Sequence, residues 1–207
     1  MQEKKVLRLG LSIMVLGSAA LPLQATLIDF TLSQSGAPEH RLILNRPLLV
    51  VEPYALDLVT AGPLAGSYAT IEPGWDGLGE DRPAEGLLGL LSGAGVAVQR
   101  ISFPVGFSML DGSLNPILES DGDGHEFSGD PEGPGLLWHE HLRFVAEPGT
   151  TPGTEFLVNM RLTDLNGLHA DSDPFTLRFV VVPEPATAAC LAVVALSLVS
   201  RRRDHSR

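Results

Sequence analysis

The sequence predicts an all-β fold, a single β-sandwich whose strand pattern is nearest to an immunoglobulin-like arrangement. Three observations lead there. Short apolar runs alternate with polar residues at period two. The glycines and prolines, 22 and 16 of them, fall mostly between those runs, where they make turns. No segment carries the 3.6-residue period of a long amphipathic helix within the part that would fold. The immunoglobulin-like label rests on pattern alone, because the usual cysteine pair is missing.

The clearest strands lie towards the C-terminus. Leu136 to Ala146 puts Trp138, Leu142 and Phe144 on one face and His139, His141 and Arg143 on the other. Residues 155–163 align Phe156, Val158, Met160 and Leu162, and residues 174–182 align Phe175, Leu177, Phe179 and Val181. The connections, at 147–153 and 164–167, have turn chemistry, so the three strands are expected to form an antiparallel meander. Weaker patterns predict strands at 27–33, 41–44, 48–51, 55–60 and 96–103. Residues 62–95 show no clear period, with one short helical turn expected at 84–91, and residues 115–135 read as a long acidic loop.

Charge narrows the partners. Residues 26–182 hold seven arginines, no lysine and 22 acidic residues, a net charge of about −15. Such a surface repels phosphate backbones, which argues against nucleic acid. Cations or a cation-rich matrix are its natural counterparts, and solubility is the plainer reading. The one cysteine, Cys190, lies in a C-terminal apolar run, so the folded part has no disulfide, thiolate zinc site or cysteine nucleophile.

Both ends read as addresses. Residues 1–25 open with Lys4, Lys5 and Arg8 and continue into the mostly apolar run 9–23. Small residues then offer cleavage after Ala25 or Ala20, so a signal peptide forms the N-terminal helix; an uncleaved anchor is the alternative. Residues 26–182 are the exported domain and 183–207 the tail. The tail has three parts in order: Pro183-Glu184-Pro185, the apolar run 186–200 and Arg201-Arg202-Arg203. The Pro-x-Pro continues neither strand nor helix. An apolar helix over 186–200 would be roughly 22 Å long, short of the roughly 20 residues of a stable span. The arginines would hold its end on the cytoplasmic side.

This three-part tail resembles the PEP-CTERM sorting domain of exopolysaccharide-producing Gram-negative bacteria, with the family's motif at Pro183, Glu184 and Pro185. The resemblance implies an exosortase as partner, following the secretion translocon and signal peptidase. It also implies transient anchoring in the inner membrane by the C-terminal hydrophobic helix. The destination is then the cell surface or an extracellular matrix that includes exopolysaccharide.

Chemistry is sparse. His139 and His141, two apart on a strand, lie on one face and suit two zinc ligands, with His125, His40, His169 or a carboxylate completing a set. The alternative is two ordinary histidines on a solvent-facing strand. Glu140 is the odd residue, on the face of Trp138 and Leu142, which points to a sheet edge or a bulge. The stretch from Trp138 to Val181 also resembles the C-terminal half of certain surface-anchored PEP-CTERM proteins, through His139, His141, Phe144, Pro148 and Gly149. Some of those are zinc-regulated, which implies a zinc-linked role. Where they carry Asn-Trp, this chain has Arg143-Phe144. Residues 121–126 fail the EF-hand pattern, leaving weak calcium binding through Asp121, Asp123, Glu126 and Asp130 against a plain acidic turn. No nucleophile elbow, metalloprotease motif or phosphate loop occurs. Trp75, Asp76 and Trp138 are the one hint of a sugar-stacking platform, set against burial in the core. The expected function is therefore non-enzymatic, a surface or matrix protein without a required cofactor. A zinc-binding module is its rival, and a carbohydrate-active enzyme ranks third.

Overall fold

The structure, a computed structural model, describes residues 29–45 and 53–183. The predicted leader, the strand expected at 48–51 and the tail from Glu184 onward lie outside the described residues. Within them the protein is all-β. In chain order the strands are β1 (Asp29–Gln34), β2 (Leu42–Asn45), β3 (Tyr54–Leu58), β4 (Tyr68–Thr70), β5 (Gly74–Leu78), β6 (Val96–Ser102) and β7 (Phe107–Leu110). There follow β8 (Pro116–Ile117), β9 (Gly124–Glu126), β10 (Leu136–His141), β11 (Arg143–Ala146), β12 (Glu155–Asp164) and β13 (Phe175–Val181).

They form two sheets. The small one has the order β10-β5-β1-β2, the large one β8-β7-β11-β4-β3-β13-β12-β6-β9. The large sheet curls until it nearly closes. Phe107 of β7 and Phe156 of β12 are five strand positions apart, about 24 Å along a flat sheet. Their rings are 5.2 Å apart. Phe179 lies between, with Phe107 and Phe144 at 5.2 and 4.6 Å. The small sheet packs on the same core: Phe30 meets Tyr54 at 6.3 Å and Trp75 meets Phe175 at 6.2 Å.

The alternation read from β12 holds, with Phe156, Val158, Met160 and Leu162 buried; so does that of β13, where Leu177, Phe179 and Val181 are buried and Phe175 is partly so. The β12–β13 hairpin forms as expected, but the meander does not. The stretch 136–146 is two strands. β10 pairs with β5 in the small sheet, and after the fully buried Leu142 β11 pairs with β4 and β7 in the large one. A chain that changes sheet in mid-run keeps its period-two pattern, so the sequence alone reads it as one strand.

Two strands, β4 and β5, sit inside the segment 62–95 that has no period. The reason is visible at Gly77, which faces Trp138 across the β5–β10 pair. A Cβ there would overlap the Trp138 indole, so the strand needs glycine where the pattern wants an apolar residue. The helical turn expected at 84–91 is a tight hairpin instead: Leu87 N–H donates to Arg82 O, and Glu85 N–H does so at 2.9 Å. The acidic segment 115–135 is not all loop, since β8 and β9 line opposite edges of the large sheet.

Candidate functional site

β10 is an edge strand, the edge that Glu140 pointed to; the bulge is not at Glu140, since the register shift lies between Leu136 and Trp138 and Trp138–His141 pair with β5 in register. Its two faces do different work. On the core side, Trp138 stacks on Phe127 at 4.6 Å. Glu140 Oε1 lies 2.9 Å from His125 Nε2, and its Oε2 accepts the Ser128 N–H at 3.1 Å. Burial pushes the Glu140 carboxyl up; the bonds from His125 and Ser128 outweigh it and hold it below the usual carboxylate range. β9 edges the large sheet and β10 the small one, so the His125–Glu140 pair joins the two along this seam.

On the outer face, His139 and His141 come together, their rings 4.7 Å apart and nearly edge-on. His139 is not a solvent-facing residue; its side chain is only 7% exposed. Its Nδ1 meets Asp76 Oδ1 of β5 at 2.8 Å, and its Nε2 lies 3.6 Å from Glu132 Oε2. The His141 Nδ1–H donates to Ile71 O at 3.0 Å, because a carbonyl only accepts. Both imidazoles are thus held through Nδ1, the anchoring that metal-binding histidines commonly have.

The further ligands considered for this pair are elsewhere. His125 is on the other face of β10, bound to Glu140. His40 Nδ1 meets Gln34 Oε1 at 2.5 Å, and His169 Nδ1 meets Asp164 Oδ2 at 2.7 Å. Among the described residues, no three His, Cys, Asp or Glu side chains are grouped to hold a metal ion. The calcium candidates are dispersed too: Asp121 pairs with Arg100 Nε at 2.7 Å, and Asp123 accepts the Ser120 N–H at 2.7 Å. Arg100 also donates to the carbonyls of Leu118 and Glu119, so this loop is strapped by a cation of the protein itself. The sugar platform is absent, since Trp75 and Trp138 are both core residues.

Two groups escaped the sequence reading. Asp76 and Glu132 flank His139, Asp76 from a distant strand and Glu132 from the loop just before β10, and no motif links either to it. The Asp164–His169 pair is the other; its two side chains are fully buried. Asp164 accepts N–H groups from Gly95, Asn166, Leu168 and His169 as well as the His169 ring. Burial pushes its carboxyl up, but these donors outweigh that and hold it below the ordinary range. The His169 Nε2 accepts the Leu91 N–H at 3.2 Å, which puts the ring proton on Nδ1. The signal available was the Asp-x-Asn-Gly turn at 164–167, read only as a connection.

No protein-family model, curated protein or solved structure matches this chain.

Proposed function

We propose that the chain is a non-enzymatic protein of the bacterial cell surface or exopolysaccharide matrix, exported by its leader and sorted by an exosortase through its tail. The observation that carries this is the order Pro183-Glu184-Pro185, apolar run, Arg201-Arg202-Arg203. The fold lends support. β13 ends at Val181, and the Val182 N–H donates to Leu56 O at 3.1 Å. Pro183, which has no N–H to donate, follows directly, so the motif begins right after the last backbone bond among the described residues. Two sheets over one core support the sandwich reading; the immunoglobulin-like variant has less support, since the large sheet orders nine strands and curls. Mass spectrometry of the surface-located product tests the proposal. The expected C-terminus lies at or near Pro183-Glu184-Pro185, with the apolar run removed. Surface material ending at Arg207 would overturn it.

A second reading, a zinc-binding module on His139 and His141, is favoured by the Nδ1 anchoring of both rings. It requires a third ligand, and Glu132 is the nearest carboxylate to His139 Nε2. On this reading Zn²⁺ raises the melting temperature of the purified protein, and His139→Ala/His141→Ala removes the rise. An unchanged melting temperature would sink it.

A further inference from the structure

Three loops meet at the end of the large sheet where the chain leaves it: residues 59–67 between β3 and β4, 103–106 between β6 and β7, and 147–154 between β11 and β12. The pairing puts them there. β13 runs parallel to β3, with Val181 beside Leu56, and β4 and β11 bring Tyr68 and Ala146 to the level of Leu58. Ala146 in turn faces Phe107, the first residue of β7. The loops also touch. Glu147 N–H donates to Gly106 O at 3.0 Å, and Gly153 N–H donates to Val181 O at 2.7 Å. A Cβ on Gly66 would lie 3.9 Å from that of Pro148. The loops form one rim, and Pro183 leaves from it just beyond Val181.

This rim is nearly free of charge in a strongly acidic domain; its three loops hold one charged residue, Glu147. Of the charges bordering it, Glu155 is paired with Arg178 and Asp121 with Arg100. Val105 stands at a loop tip, 99% exposed, and Ala61, Pro63, Ala65, Pro148 and Pro152 are exposed on the other two loops. A contiguous apolar patch of this kind marks a contact surface. The opposite end of the sheet has the reverse character. β12 runs from Glu155 at the rim to Asp164, ten residues and roughly 30 Å away. The connections at that end, 111–115 and 164–174, hold Asp111, Asp164, Asp171 and Asp173 with no lysine or arginine.

The occupant follows from where the chain goes next. The apolar run of the tail begins at Ala186, three residues after Pro183. Three residues reach at most about 11 Å. A tail seated in a bilayer therefore holds this rim at the lipid surface, at high effective concentration. We infer that the rim is a membrane contact: while the tail is anchored, as proposed above, Val105 and the tips of the other two loops enter the lipid interface. The domain then stands on the bilayer with its acidic end outward. The three loops carry no cation, so burial of apolar surface makes the contact and anionic headgroups do not. An anionic leaflet repels the acidic end and favours the same orientation.

The test uses the full chain, purified in mild detergent and reconstituted into phosphatidylcholine vesicles. A polarity-sensitive fluorophore is attached to one cysteine at a time. The native Cys190 reports the tail. In a Cys190→Ser chain, Val105→Cys and Thr151→Cys report the rim, and Leu165→Cys, at an exposed position beyond Asp164, reports the far end. Each variant is checked for folding by its melt. When the vesicles include lipids carrying a nitroxide quencher, the labels at 190, 105 and 151 are expected to lose emission and the label at 165 to keep it. High salt leaves the losses in place, since no ion pair makes the contact. Val105→Asp reduces the loss at 151. Loss at 190 without loss at 105 would overturn the contact and leave the anchored tail standing. No loss at 190 would overturn both. Equal loss at 105 and 165, reversal by salt, or an unchanged loss at 151 in Val105→Asp would each overturn the contact alone.

Discussion

Replacing Asp164 by alanine is expected to lower the unfolding free energy by about 3–5 kcal/mol, measured by urea denaturation. The carboxylate is fully buried and ties the end of β12 to Gly95, before β6, and to the turn that follows. Removing it strands the part-buried Gly95 and His169 N–H groups and the His169 ring at once, which is the costly way to break a buried pair. The same group makes stability depend on pH. Its folded pKa is lowered, so its contribution is fully present above the unfolded carboxylate value and is lost as pH falls through the folded one. Wild type should therefore lose stability on acidification, and the alanine variant should lose less of it over the same range. Matching pH profiles would show that the loss belongs to other carboxylates.

Phe179→Ala is expected to cost a similar amount, about 3–5 kcal/mol in the same assay, with Phe179→Leu costing less than about 1.5. Phe179 is fully buried and touches Tyr54, Phe107 and Phe144, from three strands, β3, β7 and β11, that lie to one side of β13 in the sheet order. Its ring fills the space that the curl of the large sheet encloses. A loss under about 1 kcal/mol for the alanine variant would mean that the sheet does not close around it.

What the sequence showed and what it hid follow from the range of each interaction. Alternation is local, so the buried faces of β12 and β13 were legible, as was Trp138 opposite His139. Pairing is not local. Nothing in Leu136–Ala146 announces that Leu142 is a crossing between sheets, or that β13 will lie parallel to β3. β5 was hidden because Gly74 and Gly77 read as turn residues, whereas Gly77 is a cavity cut for an indole from β10. At the candidate site, the two histidines on one face were legible from spacing. Asp76 and Glu132 were not, since each reaches His139 only through the fold. His125 looked like a ligand for that pair and serves Glu140 on the opposite face, a distinction of direction that counting residues cannot make.

The place of β13 governs when this chain can fold. The last strand made lies between β3 and β12, well inside the large sheet. Until Phe175–Val181 is available, β3 and β12 keep unpaired edges and Phe179 is missing from the core. Most of the other pairings also join distant parts of the chain, such as β4 with β11 and β6 with β12, which slows folding on its own account. A growing chain of this design thus stays open until its C-terminal strand arrives, and its native state is reached only after synthesis of the domain is complete.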